Sequence, residues 1–125
     1  MSAVCLAALG LVVHLPFQAF TLEWTHSIEK IRWEEDYRVV AGGLQLTEAR
    51  IRGSGAGMEP LRGAVLKEGV WHYTPSLPVQ KRLRLARSAY AGDYTLCWSG
   101  ACHPLAEFAG PVEKSEVVEL FVCNV

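Results

Sequence analysis

Phe20-Thr21-Leu22-Glu23-Trp24-Thr25-His26-Ser27-Ile28-Glu29-Lys30-Ile31-Arg32-Trp33-Glu34-Glu35-Asp36-Tyr37 is the densest run of aromatic, acidic and imidazole side chains in the chain. Side chains alternate between the two faces of a strand. Phe20, Leu22, Trp24 and His26 therefore share one face of a first strand, and Trp33, Glu35, Tyr37 and Val39 share one face of a second. Arg32, Glu34, Asp36 and Arg38 take the other face. If the apolar faces coincide, His26 and Glu35 are their only polar members. A turn at Glu29-Lys30 sets Trp24 opposite Glu35 and His26 opposite Trp33, which makes His26 and Glu35 diagonal neighbours.

Outward from this hairpin, nearly every segment reads as strand and nearly every junction as turn. Leu9-Gly10 separates Val4–Ala8 from Leu11–Leu15, and Ala41-Gly42-Gly43 leads into a strand from Leu44 to Arg52. That strand changes parity, from Leu44 and Leu46 to Ala49 and Ile51, so a bulge is expected near Thr47-Glu48. Gly53 to Pro60, with three glycines and a proline, is a loop. Lys67-Glu68-Gly69 turns between Gly63–Leu66 and Val70–Thr74, and the two prolines of Pro75–Pro78 block further pairing. Gln80–Arg87 is a strand with a solvated basic face, and Tyr90–Asp93 is a turn. Phe108–Ser115 is a polar connection, and Glu116–Cys123 closes the chain as an alternating strand. No window carries helical periodicity. The pattern predicts one all-β domain over residues 1–125, an antiparallel β-sandwich or partly open barrel of about eight to ten short strands.

Half of the 125 residues are apolar and a fifth are charged, with a net charge of −1. Such a composition is globular and carries no nucleic-acid footprint. The apolar run Ala3–Val13 is too short to span a membrane. It lacks a basic residue before it and a good cleavage context at Phe17-Gln18-Ala19, so a hairpin is favoured over a signal peptide. On that ground a cytoplasmic location is favoured over a periplasmic one. Of the four cysteines, Cys97 and Cys102 bracket Ser99-Gly100. A two-residue turn there sets them face to face, within reach of a disulfide. Cys5 and Cys123 pair only if the terminal strands are neighbours.

No complete catalytic constellation is present. Ser27 beside His26 points to the opposite strand face, and no cofactor fingerprint stands in its required context. A metal site would draw on His26, Glu29, Glu35, His72, Cys102 and His103, but Cys97-x4-Cys102-His103 is looser than a zinc-type spacing. His26 and Glu35 beside Trp24 and Trp33 form either a satisfied core pair or a dry ligand pocket.

The stretch Phe20–Lys30, Glu34-Glu35-Asp36-Tyr37 and Gly53-Ser54-Gly55-Ala56-Gly57-Met58 resembles the domain of unknown function 1850 family. The likeness extends to Ala89–Tyr94 and the Cys97/Cys102 hairpin. It implies a bacterial protein whose relatives are encoded beside, or fused to, TRAP transporters of the TAXI type. The resemblance thus points to a non-enzymatic accessory that binds a transporter component or its small-molecule solute. The residues expected to form the binding surface are His26, Ser27, Glu29, Glu35, Trp24, Trp33, Gly55, Gly57 and Met58. The competing expectation is a small metal-binding protein or enzyme centred on His26 and Glu35.

Overall fold

A computed structural model of the chain describes residues 2–25, 31–52, 63–88, 92–113 and 117–124. Two antiparallel sheets stack as an open sandwich without closing into a barrel. The smaller sheet has the order β2-β1-β11-β8. It is built from β1 (Ser2–Ala8), β2 (Leu11–Leu15), β8 (Arg82–Ala86) and β11 (Val117–Asn124). The larger runs β10-β9-β3-β4-β5-β7-β6. Its members are β3 (Ala19–Thr25), β4 (Arg32–Val40), β5 (Gly43–Arg52), β6 (Val65–Lys67), β7 (Val70–Tyr73), β9 (Thr95–Trp98) and β10 (Ala101–Pro104).

Three hairpins close on two-residue turns with both central residues at positive φ: Leu9-Gly10, Glu68-Gly69 and Ser99-Gly100. This backbone matches the twist of the flanking strands, and glycine at the second position adopts it without a Cβ clash. Gly43 answers a different demand. Leu44 and Gln80 exchange two backbone hydrogen bonds of 2.8 Å, and a Cβ on Gly43 would lie 2.2 Å from the Gln80 carbonyl oxygen.

The inner faces of the sheets meet through Val4, Leu6, Leu15, Phe20, Leu22, Leu44, Leu46, Leu83, Leu85, Leu96, Val118 and Leu120, all buried. The parity change in β5 is real. The β4–β5 register shifts between Asp36 and Tyr37, with Tyr37 opposite Leu46 and Asp36 opposite Glu48. Thr47 is the extra residue, and its hydroxyl donates to the Asp36 carbonyl at 3.2 Å. The bulge lets Leu44, Leu46, Ala49 and Ile51 all face inward.

Three expectations need correction. The β3–β4 register sets Trp24 opposite Trp33 and Leu22 opposite Glu35, so Trp24 does not face Glu35. This register stacks Trp24 on Trp33 and Phe20 on Tyr37, with centroids 6.0 and 5.5 Å apart. Aromatic pairs of this kind add about 0.5–1.5 kcal/mol each. Next, the connection after β10 contains one helical turn, α1 (Ala106–Ala109), folded against β1 and β10. Finally, Arg87 does not extend the solvated basic face. Its side chain is fully buried, donating to Asp93 at 2.7 and 3.0 Å and to the Gly110 carbonyl at 2.8 Å.

All four cysteines are paired, Cys5 with Cys123 and Cys97 with Cys102. The first bridge exists because β1 and β11 are neighbours, and the second because Cys97 and Cys102 oppose each other in the β9–β10 hairpin. Their sequence separations, 118 and 5 residues, predict unequal stabilisation. In the chain-entropy picture the long loop is worth about 5 kcal/mol and the short one about 2 kcal/mol. Non-reducing peptide mapping should recover these two pairs, and Cys5→Ala/Cys123→Ala should lower the urea midpoint more than Cys97→Ala/Cys102→Ala. Equal shifts would contradict this account.

Candidate functional site

The larger sheet presents two chemically opposed faces, and cross-strand rows describe both. On the inner face, Leu96, Leu22, Glu35, Ala49 and Tyr73 form one row across β9, β3, β4, β5 and β7. The next row is Trp24, Trp33, Ile51, Trp71 and Leu66. On the other side lie Phe20, Tyr37 and Leu46. Glu35 is thus a carboxylate set among apolar and aromatic neighbours.

Among the described residues, Glu35 has one hydrogen-bond partner, the Tyr37 hydroxyl, which donates to it at 3.2 Å. Burial raises the Glu35 pKa above the ordinary glutamate range, and the Tyr37 hydrogen bond only partly offsets this. The phenols respond in kind. Burial and the Glu35 charge push Tyr37, Tyr73 and Tyr94 upward. Trp24 stacks on Trp33 and packs against Tyr94, with centroids 5.9 Å apart in the latter pair. The Trp33 indole Nε1 is buried without a hydrogen-bond acceptor among the described residues. A cleft of about 350 Å³ lies on the opposite face of the sheet, lined chiefly by Glu23, Thr25, Arg32, Thr95 and Cys102, and it does not reach Glu35.

The outer face is an ionic lattice. Glu23 and Glu34, both buried, stand directly opposite each other on β3 and β4, an arrangement that like charges disfavour. Guanidinium groups resolve it. Arg32 pairs with Glu23 and reaches Glu34 at 3.2 Å. Arg50 donates to Glu34 at 2.9 Å and to both Asp36 oxygens at 2.7 Å, and Arg52 donates to Glu34 at 2.9 Å. Thr21 donates to Asp36 at 2.6 Å. Burial tends to raise the Glu34 pKa, but hydrogen bonds from Arg52 and Arg50 hold it below the ordinary value. Hydrogen bonds from Arg50 to Asp36 and from His72 to Glu48 hold those two carboxyls low as well.

Of the residues expected to form the site, Trp24, Trp33 and Glu35 share one face in adjoining rows. His26, Ser27, Glu29, Gly55, Gly57 and Met58 lie outside the described residues, and with them the expected His26–Glu35 contact. The metal set is dispersed. His72 engages Glu48 at 2.7 Å on β7, while Cys102 is bridged to Cys97 on β10. These strands are five steps apart in the sheet, roughly 24 Å. His103 stacks on Trp98 and engages Glu107 at 3.1 Å. The bridged sulfurs of Cys97 and Cys102 lie 3.2 and 3.9 Å from a Glu23 oxygen. Sequence reading missed Glu23, Tyr73 and Tyr94. Tyr73 enters the Glu35 row only through the β5 bulge, and Tyr94 sits just before the strand where alternation becomes readable.

Fold and site define an open β-sandwich whose larger sheet carries a carboxylate ringed by aromatics on one face and an ionic lattice on the other. The chain matches the family model for the Domain of unknown function (DUF1850) over residues 20–105 and belongs to that family. The matched span contains nearly all of the seven-stranded sheet together with β8, and leaves β1, β2 and β11 outside. No curated protein and no solved structure matches the chain.

The two faces predict opposite pH behaviour. The depressed pKa values of Glu34, Asp36 and Glu48 give stability that is present above the unfolded carboxylate range and lost as pH falls through their folded values. The raised Glu35 pKa works the other way, so stability falls as pH climbs from the ordinary glutamate value through the folded one. Glu35→Gln should therefore raise neutral-pH stability by on the order of 1 kcal/mol and flatten that decline in urea titrations between pH 4 and 8, about the carboxylate range. A destabilised variant with an unchanged pH profile would refute the assignment. Arg50→Met should cost roughly 2 kcal/mol by removing the guanidinium that faces Asp36 and one of the three that face Glu34. Adding Glu34→Gln should recover part of that loss, so that the two effects are not additive.

Proposed function

We propose that this protein is a non-enzymatic binding module serving a TRAP-type solute uptake system of the TAXI kind, with the region around Glu35 and its aromatic neighbours as its binding site. The observation that carries the binding reading is the placement of Glu35. A carboxylate on an apolar sheet face, with a phenol as its described partner, weakens the fold in exchange for recognition chemistry. Trp24, Trp33 and the tyrosines offer a ligand rigid contact area at low entropic cost. Ser27 and His26 are adjacent in sequence, which argues against a nucleophile–base pair on one strand face. The link to a TRAP-TAXI system, and to bacteria, comes from the family resemblance and is associative. Two disulfides per chain suit an oxidising compartment, which supports a periplasmic site of action over a cytoplasmic one.

The test is genetic and biochemical together. Deleting the gene should impair uptake of one solute while the permease is still made. Glu35→Gln, expressed at wild-type level, should fail to restore uptake. Affinity capture of the tagged protein from its native cells should return a transporter component. Normal uptake across all candidate solutes in the deletion strain would reject the transport role. Turnover of a substrate by the purified protein, with His26 essential, would reject the non-enzymatic reading.

A further inference from the structure

We propose that the Cys97–Cys102 bridge is a reversible exchange site, opened by a protein dithiol that attacks the Cys102 sulfur, with Glu23 as the hydrogen-bond acceptor of the thiols released. This inference stands independently of the Glu35 reading and assigns chemistry to the opposite face of the same sheet.

The first argument is a contrast between the two bridges. Cys5–Cys123 joins β1 to β11, the central strands of the smaller sheet, and Cys5 is fully buried. Cys97–Cys102 joins β9 to β10, and β10 is an edge of the larger sheet with Cys102 exposed. Its cysteines are 5 residues apart in sequence, so opening the bridge frees little chain entropy and leaves the fold standing. An incoming thiolate must reach a sulfur from the side away from its bonded partner. Past Cys102 that side leads off the sheet edge, whereas past Cys97 it leads to β3. The outer-face cleft, lined in part by Cys102, Thr95 and Arg32, gives the attacking group room. The second argument is Glu23. This buried carboxylate sets one oxygen on Arg32 and the other 3.2 Å from the Cys97 sulfur and 3.9 Å from that of Cys102. A carboxylate can only accept a hydrogen bond, and a disulfide has no proton to give. Reduction supplies the donor, turning a contact into a charge-assisted hydrogen bond that favours the dithiol. The same charge opposes a lone thiolate, so each sulfur is protonated as it is released. In the exchange, the partner thiolate bonds to Cys102 Sγ, the S–S bond breaks, and its electron pair leaves on Cys97, which takes a proton from solvent. The partner's second thiolate then attacks the partner sulfur of the mixed disulfide and releases Cys102, protonated in turn. Two electrons and two protons pass to this chain, and the partner leaves as its own disulfide.

The experiment uses the full oxidised chain, with dithiothreitol as the dithiol probe and glutathione as the monothiol probe. Quenching with N-ethylmaleimide and peptide mapping report the state of each cysteine. Dithiothreitol should open Cys97–Cys102 about tenfold or more faster than Cys5–Cys123. The circular dichroism spectrum should be retained, and oxidised glutathione should restore the same pair. Reduced glutathione should be trapped on Cys102, with the maleimide on Cys97. In glutathione buffers of graded ratio, Glu23→Gln should shift the Cys97–Cys102 equilibrium about fivefold toward the disulfide. The opening rate of Cys5–Cys123 should not change in that variant, which separates a local hydrogen bond from a general loss of stability. The rate and trapping measurements use the natural chain, so they decide the proposal even if Glu23→Gln misfolds. Equal opening of the two bridges, collapse of the fold when Cys97–Cys102 opens, glutathione on Cys97, or an unshifted equilibrium in folded Glu23→Gln would each overturn it.

Discussion

The pairing of β3 with β4 is the constraint on which the rest depends. Seven cross-strand partners, from Ala19–Arg38 to Thr25–Arg32, fix it. That register opposes Glu23 to Glu34 on one face and Trp24 to Trp33 on the other. The first opposition is costly unless cations are supplied, and Arg32, Arg50 and Arg52 supply them from β4 and β5. The sheet is thereby locked from both sides, by stacked rings within and by forked guanidinium contacts without. A bidentate Arg–carboxylate contact resists sliding because both its distance and its plane are specified.

The bulge at Thr47 then sets what the inner face can become. If this sequence paired without the bulge, Asp36 would face Thr47 and Glu35 would face Glu48, turning Ala49 and Ile51 outward and bringing a charged side chain beside Glu35. With it, Ala49 lies beside Glu35 and Tyr73 follows in the same row. The same irregularity keeps Glu48 and Arg50 on the outer face, where they complete the lattice. By bulging out Thr47 the strand keeps the chemistry segregated, with a raised pKa at Glu35 and lowered ones at Glu34, Asp36 and Glu48.

Much of this architecture is legible in the sequence because it is written in local chemistry. Leu9-Gly10, Glu68-Gly69 and Ser99-Gly100 announce their hairpins, the parity slip after Leu46 announces the bulge, and Glu35 stands out as an acid on an apolar face. The β3–β4 register was not legible. A shift of two residues preserves which face each side chain takes, so alternation alone could not choose, and the choice fell to long-range stacking and ion pairing. Arg87 misled for a related reason. Its burial depends on Asp93 and the Gly110 carbonyl, neither of which belongs to its own strand. The helical turn at Ala106–Ala109 is too short to show a period of its own.

The covalent bond between β1 and β11 has a mechanical meaning. Ser2 lies opposite Asn124 in antiparallel pairing, so tension applied to the two ends would peel the strands rung by rung rather than shear them. The Cys5–Cys123 bridge stops the zip after the first few pairs. Beyond that point, load passes through a sulfur–sulfur bond and bypasses the backbone of both sheets. A pull that leaves the bridge intact would therefore not disturb the ring-lined carboxylate or the ionic lattice, which belong to a part of the sandwich insulated from force.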